Sequence, residues 1–323
     1  MAACQNVEYQ IVRLHDAPDT FAELVAFAAE RIGLPEVYVE KDYWVTNALK
    51  HLSASPHAQY AVFKGGTSLS KAYRLIERFS EDIDLAVLSV GLSGNAIKQR
   101  IKDVETAANC GLNAIDDTRV SKGSSFRRTV YAYPRFLEGH GFGQASPHLM
   151  IEVNAFTHPE PHEARCLQSL IADALIAQDR HDLIEEYGLE PFSIQVLSIR
   201  RTLVEKLLGL IKDSYHDDPI AQLSRRIRHL YDICLILRQP EQRDFIQSED
   251  FEVLCKVCIS DEIEGNFDNC HWLEQPLSSA PLFAQFPEWK ASLENTYLGS
   301  FSDLVYGELP GLEEIERAIA FLS

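Results

Sequence analysis

The sequence predicts an α+β fold: a small mixed β-sheet with flanking helices over residues 1–195, followed by a helical domain over 196–323. Three observations predict it. Short runs of period-2 alternation are interleaved with helical patterns through the first half of the chain. From Leu167 onward the apolar spacing is almost wholly helical. The composition, 46% hydrophobic and 24% charged over 323 residues, is that of a folded chain with apolar residues enough for one large domain or two modest ones.

In chain order, Phe21, Leu24, Val25, Phe27 and Ala28 recur at helical spacing behind Asp19 and Thr20. A second helix starts after Pro35 and stops at the Ser53–Pro56 loop. QYAVF (59–63) is a β-prone run, followed at once by Lys64-Gly65-Gly66-Thr67-Ser68 and a predicted helix, LSKAYRLIERF (69–79). DIDLAVL (82–88) reads as a strand, and Asn95 to Cys110 as an amphipathic helix. RRTVYAYPR (127–135) and HLMIEVNAF (148–156) alternate as half-buried strands do. Helices are then predicted over 167–177, 197–212 and 223–237, with a hinge near Glu190–Ser198 where an extended segment feeds a helix.

Charge narrows the function classes. Lys plus Arg number 30 against 48 Asp plus Glu, a net charge of −18. A general duplex-coating protein needs a broad basic face to displace counterions, so that class is excluded. The N-terminus lacks an apolar h-region and no apolar run approaches a membrane span, so a cytoplasmic protein without membrane contact is expected. Seven scattered cysteines, an odd number, read as reduced thiols. Cys255-x-x-Cys258 with Cys270-His271 has a zinc-like inventory, but FEVLCKVCIS is apolar and helical in pattern, so buried free cysteines are expected there.

The chemistry lies in Lys64 to Leu85, KGGTSLSKAYRLIERFSEDIDL. Two glycines after a strand let the backbone turn sharply and approach a ligand closely. Thr67 and Ser68 then fall at a helix N-terminus, where N–H groups, the helix dipole and hydroxyls favour phosphate. Asp82 and Asp84 share one face of a strand, with Ile83, Leu85 and Val87 on the other. Paired carboxylates repel each other unless a cation intervenes, and Mg²⁺ is the simplest partner. A Gly-rich turn facing D-x-D is thus a metal–nucleotide arrangement; it is neither a P-loop nor a Rossmann fingerprint. Two-metal phosphoryl chemistry wants a third carboxylate. Glu152, sharing a face with Met150 and Asn154, is the candidate; the alternative is an exposed strand glutamate.

KGGTSLSK followed by RFSEDIDL resembles the AbiEii/AbiGii-type nucleotidyltransferase toxins, a branch of the DNA polymerase β-like superfamily. VEKDYW (39–44), RRTLVEKLLGL (200–210) and RRIRHLYDICLIL (225–237) resemble that family's other motifs, in family order. Leu203-Val204 stands where aromatic residues are common. The resemblance implies a nucleotidyltransferase-type sheet and a cleft between two domains. It implies that Lys64, Gly65, Gly66, Thr67 and Ser68 contact nucleotide, that Asp82, Asp84 and Glu152 hold two Mg²⁺ ions, and that Lys206 and Asp232 are essential. Lys206 would neutralise the triphosphate.

On the helices themselves, Ile199, Leu203, Leu207 and Leu210 form an apolar stripe with Thr202 and Lys206 beside it. Arg225, Arg228, His229 and Asp232 fall on one face, read either as a ligand surface or as a solvated, ion-paired one. The basic cluster Lys122, Arg127, Arg128 and Arg135 either seats an RNA backbone or balances an acidic surface. Three readings follow: a Mg-dependent toxin transferring NMP from an NTP to the 3′ end of tRNA and paired with an antitoxin; a nucleotidyltransferase acting on a protein side chain or small molecule; and a catalytically idle NTP-binding module. Arg127, Arg128, Arg225 and Arg228 as RNA contacts favour the first, the acidic balance the second. The intact D-x-D and Lys206 argue against the third.

Overall fold

The computed structural model describes residues 13–80, 82–137, 146–156, 158–264 and 270–323, without the side chains of 270 and 271. The start of the chain with Cys4, and the side chains of Cys270 and His271, therefore lie outside the described residues. The elements run α1 (Pro18–Ile32), α2 (Glu36–Ser53), β1 (Ala61–Lys64), α3 (Gly65–Lys71), β2 (Ile83–Val87), α4 (Gly94–Ala108), β3 (Asn113–Ala114), β4 (Ser121–Lys122), β5 (Phe126–Ala132), β6 (Leu149–Asn154) and β7 (His162–Leu167). There follow α5 (Leu170–Ile176), α6 (His181–Glu186), β8 (Phe192–Leu197), α7 (Ile199–Ser214), α8 (Pro219–Arg225), α9 (Ile227–Leu237), α10 (Pro240–Ile246), α11 (Glu249–Glu264), α12 (Pro281–Thr296) and α13 (Leu312–Phe321).

The sheet order is β3-β5-β6-β2-β1-β8-β7, with β4 on β5. It is mixed: β2 runs parallel to β6 and β1 parallel to β8, while β1/β2, β5/β6 and β7/β8 are antiparallel. The predicted boundary at 195/196 falls inside β8, so the sheet ends at Leu197 and the helical half begins at α7, capped by Ser198, whose side chain accepts from Arg201 N–H. Both halves share one apolar core from Leu14 to Leu322.

Three buried charges in α2 explain the VEKDYW motif as structure. Glu40 accepts from Phe136 N–H at 2.7 Å, and Lys41 donates to Ser146 C=O at 2.6 Å. Asp42 pairs with Lys71 at the end of α3 and accepts from Leu170 N–H at 2.8 Å. One carboxylate thus pins two helix ends.

Two expected helices differ. The helix predicted over 69–79 stops at Lys71, because Arg74 adopts a left-handed φ of 53° and residues 77–79 pair with the C-terminal segment instead. Phe79 N–H donates to Leu304 C=O at 2.7 Å, Tyr306 N–H to Glu77 C=O at 2.9 Å, and Arg78 bridges Val305. The helix predicted over 223–237 breaks at Arg226 (φ −101°, ψ 20°), separating Arg225 from the face of α9 that carries Arg228, His229 and Asp232. β3, β4 and β7 were outside the sequence reading; two of them are only two residues long.

Candidate functional site

A row of side chains crosses four strands. The register pairs Lys64 with Asp84, Asp84 with Glu152, and Glu152 with Arg128, so cation, carboxylate, carboxylate and cation share one face. Asp82 immediately precedes β2, and its charge acts on Asp84. Ile83, Leu85 and Val87 are buried on the opposite face, as the alternation demands.

α3 turns away from β1 through Gly65, whose φ is +80°. A Cβ there would lie 2.2 Å from Asp84 Oδ2. At Gly66 it would lie 2.4 Å from Arg78 Nη2. The two glycines let the turn close against the strand carboxylate and against a buried guanidinium. Thr67 and Ser68 are buried, and their hydroxyls are spent inside the turn: Thr67 donates to Asp82 C=O at 2.6 Å, and Ser68 to Gly65 C=O at 2.9 Å.

α7 supplies the facing wall. Lys64 pairs with Glu205 at 2.9 Å, and Glu205 also takes Arg201 at 3.0 Å. Burial opposes ionisation of Glu205, but the charges of Lys64 and Arg201 outweigh it and hold its carboxyl below the ordinary value. Lys206 pairs with the fully buried Asp232 at 2.8 Å, and Arg78 grips the same carboxylate through Nε (2.7 Å) and Nη2 (2.8 Å). Burial alone would raise Asp232, yet the two cations push its carboxyl well below the ordinary range. Asp232 thus touches Lys206 and Arg78 and is held away from the cavity itself. The sequence reading missed Arg78, Arg201 and Glu205. The four-residue spacing of Arg201 and Glu205 was a legible signal, whereas the Arg78–Asp232 contact spans 154 positions and left none.

The remaining residues divide. Arg128 bonds Glu152 on the cleft face (Nε–Oε1 2.8 Å) and lies over Phe126. Arg127 faces the other side of the sheet and pairs with buried Glu105 of α4, which also takes the hydroxyls of Thr129 and Tyr131. Arg225 is exposed on α8, and Lys122 on β4. Lys64, Gly65, Asp84, Glu152, Asn154 and Lys206 line one cavity of about 390 Å³, together with Thr202, Gly209, Lys212, Arg226, His229 and Glu262. Gly66, Thr67, Ser68, Asp82 and Asp232 are not on its wall. Asn154 Oδ1, Thr202 Oγ1 and His229 Nδ1 are buried there without a hydrogen-bond partner.

The carboxylates fit a divalent metal. Burial first, then the charges of Glu152 and Asp82, push the Asp84 carboxyl up to about 7, and Lys64 and Lys206 offset only part of this. Such repulsion between hard oxygen donors is what Mg²⁺ relieves. Among the described residues no three His, Cys, Asp or Glu side chains already close into a metal cluster; Glu152 is turned to Arg128. Cys255 and Cys258 are free and buried in α11, where burial pushes each thiol up to about 12. Among the described residues no helix is long and apolar enough to cross a membrane.

The family model for the nucleotidyl transferase AbiEii toxin of type IV toxin–antitoxin systems matches residues 47–308. No curated protein matches the chain. Two solved structures align over most of it. One is a candidate nucleotidyltransferase from H. pylori, 17% identical over 90% of this chain and 94% of that one, with a TM-score of 0.44. The other is MenT4, a nucleotidyltransferase toxin from Mycobacterium tuberculosis H37Rv, 17% identical over 92% and 98%, with a TM-score of 0.46.

Proposed function

We propose, from the premise that this chain belongs to the AbiEii nucleotidyltransferase toxin family of type IV toxin–antitoxin systems, that it transfers NMP from an NTP to the 3′ end of a tRNA. The observation that carries this reading is the charged row on the cleft face. Asp84 and Glu152 stand side by side on parallel strands, Asp84 is destabilised as an anion, and Lys206 lies on the wall of the same cavity. Asp82, Asp84 and Glu152 would hold Mg²⁺, with room in the donor set for two ions. Mg²⁺ bound there supplies neutralisation of the α-phosphate and alignment of the attacking oxygen.

The chain's own groups do the rest. Gly65 keeps the α3 turn tight against Asp84, fixing that carboxylate's position. Lys206, oriented by Asp232, sets an ammonium where charge grows on the departing pyrophosphate. The acceptor hydroxyl forms its bond to the α-phosphorus as the bridge to the β-phosphate breaks, and its proton passes to a carboxylate of the row. Arg128, half exposed beside Glu152, would meet the acceptor's phosphates, with Arg225 and Arg228 of the helical half as further contacts. As a family toxin the chain is expected to have a cognate antitoxin and to act where tRNA is, in the cytoplasm.

The test is transfer of label from each α-labelled NTP, with Mg²⁺ and total tRNA, by wild type and Asp84→Asn. Label on tRNA with wild type alone is expected, and it names the nucleotide. Label on protein or on a small molecule would move the acceptor, and equal inertness of both proteins in every mixture would sink the transfer reading.

A further inference from the structure

Resting on the nucleotidyl-transfer reading above, we propose that Phe126 and Phe156 form a stacking platform for the terminal base of the acceptor. The acceptor it fits is a single-stranded RNA end, gripped by its base more than by its charge.

The two rings are a pair: their centroids lie 5.7 Å apart and their planes are inclined by 15°. The backbone holds them there. Phe126 opens β5, and Gly123 N–H donates to its C=O at 2.7 Å. Ala155 N–H donates to Ser125 C=O at 2.9 Å, so the pairing of β5 with β6 runs on to Phe156. Both rings are half-buried, yet the pair stands outside the apolar core of the described residues and outside the partly buried residues packed on that core. Two phenylalanines stacked on each other, fixed by strands and set off the core, present a preformed π-face.

Register places that face at the site. Arg128 pairs with Glu152 and Phe126 with Asn154, so Phe126 stands one cleft-face position beyond the carboxylate row. Phe156 lines the same cavity as Glu152 and Asn154, about 13 Å of extended chain from Glu152. Between them Asn154 Oδ1 is buried without a hydrogen-bond partner, and an amide there suits the polar edge of a base. The Arg128 guanidinium lies 5.4 Å from the centre of the Phe126 ring. A phosphate contact and a base contact thus adjoin.

The chemistry chooses which substrate meets the rings. Transfer needs the attacking and leaving oxygens roughly in line across the phosphorus. Lys64 and Lys206 stand on the β1 and α7 side of the row, where the transfer reading puts the leaving pyrophosphate; Glu152, Arg128 and the rings stand on the β6 and β5 side. On that reading the acceptor hydroxyl enters from the side of the rings. A duplex keeps its base faces stacked, whereas a single-stranded end offers one. Stacking also needs no cation, so a chain of net charge −18 can hold a polyanion's end by it.

The experiment is fluorescence anisotropy of the full chain with Mg²⁺ and without NTP. The probes are a 5′-labelled RNA hairpin with a short single-stranded 3′ extension and the same hairpin blunt. Wild type should bind the extended hairpin more tightly. Phe126→Leu and Phe156→Leu keep apolar volume and lose the π-face; each should bind that hairpin about tenfold more weakly and the blunt one unchanged. Phe156→Tyr, which keeps a ring, should recover most of the loss. Wild type and Phe156→Leu should share one salt slope, and Arg128→Ala should lower it by about 0.7. In the labelled-NTP assay Phe156→Leu should raise the KM for tRNA and leave the KM for NTP unchanged. Thermal melts of each variant separate misfolding from lost contact. The platform is overturned if wild type does not prefer the extended hairpin, if both leucine variants bind it as wild type does, or if Phe156→Tyr loses as much as Phe156→Leu. Weaker binding by the leucine variants with no transfer to any RNA would remove the transfer reading and leave the platform. Transfer to tRNA with binding and KM unaltered in those variants would do the reverse.

Discussion

Gly65→Ala and Gly33→Ala impose the same backbone strain and differ in one contact. Gly65 has a φ of +80° and Gly33, closing α1, a φ of +76°, and an L-residue in that region costs about 1–2 kcal/mol. At Gly33 nothing lies within 4 Å of the added Cβ, so that strain is the entire cost. At Gly65 the Cβ meets Asp84 Oδ2 at 2.2 Å, and ordinary contact begins at 3.4 Å, so the carboxylate must retreat by 3.4 less 2.2, or 1.2 Å. Asp84 cannot retreat freely, since β2 is fixed between β1 and β6. A displacement of about 1 Å in a reacting geometry costs on the order of a hundredfold in rate. Urea unfolding should show both variants folded, with Gly33→Ala down by about 1–2 kcal/mol and Gly65→Ala by that or somewhat more. In the labelled-NTP assay Gly33→Ala should match wild type, and Gly65→Ala should lose about a hundredfold. A folded Gly65→Ala within a few-fold of wild type would refute the placement of the chemistry at Asp84.

Asp232→Asn leaves Arg78 and Lys206 buried around a neutral amide and should cost about 3–5 kcal/mol in urea unfolding. The sign of its pH dependence follows from the depressed folded pKa: the stabilisation is complete above the ordinary carboxylate range and drains as pH falls below about 4. The gap between wild type and Asp232→Asn should therefore narrow between pH 5 and pH 2; a constant gap would mean that the carboxylate's charge is not what stabilises. Mg²⁺ should raise the melting temperature of wild type by mass action, about 2.7 kcal/mol at a hundredfold excess over Kd, and should do little for Asp84→Asn. Equal shifts in both would place the metal elsewhere. Arg127→Ala should lower stability by about 1–3 kcal/mol, because Glu105 stays buried, and leave the KM for tRNA unchanged. Arg128→Ala should raise that KM while lowering the Mg²⁺ needed for stabilisation, since Glu152 loses its competing partner. A reversal of the two arginine phenotypes would overturn the assignment of sheet faces.

The carboxylate row was legible because strand alternation is a strict local rule. Asp82 and Asp84 had to share a face, and Glu152 had to share one with Asn154. The same rule separates Arg127 from Arg128, which cannot both face the cleft, and grouping them by proximity in sequence ignored it. What local rules could not supply is pairing at long range. Residues 69–79 carry helical spacing, yet 77–79 are claimed by a segment some 225 positions later, and tertiary hydrogen bonds outweigh propensity. The Arg225–Asp232 stripe assumed an unbroken helix. The break at Arg226 takes Arg225 off that stripe, and within α9 Asp232 is buried against Arg78 and Lys206 and not turned to solvent.

The acidic balance is also explained at the site. A net charge of −18 sits poorly with a polyanionic substrate if the charges act as a uniform field. They do not act so here. Four of the cations at the cleft have a carboxylate within 3 Å: Lys64 with Glu205, Arg128 with Glu152, Lys206 with Asp232, and Arg226 with Asp213. At such separations in a partly buried site the pair interaction exceeds the screened surface field. A metal that takes Glu152 sets Arg128 free, and a triphosphate that takes the spare donors of Lys206 leaves Asp232 bound to Arg78. Under the transfer reading, the cleft would present an unpaired cation only once metal is bound, so an acidic chain could take an anionic acceptor without binding polyanions indiscriminately.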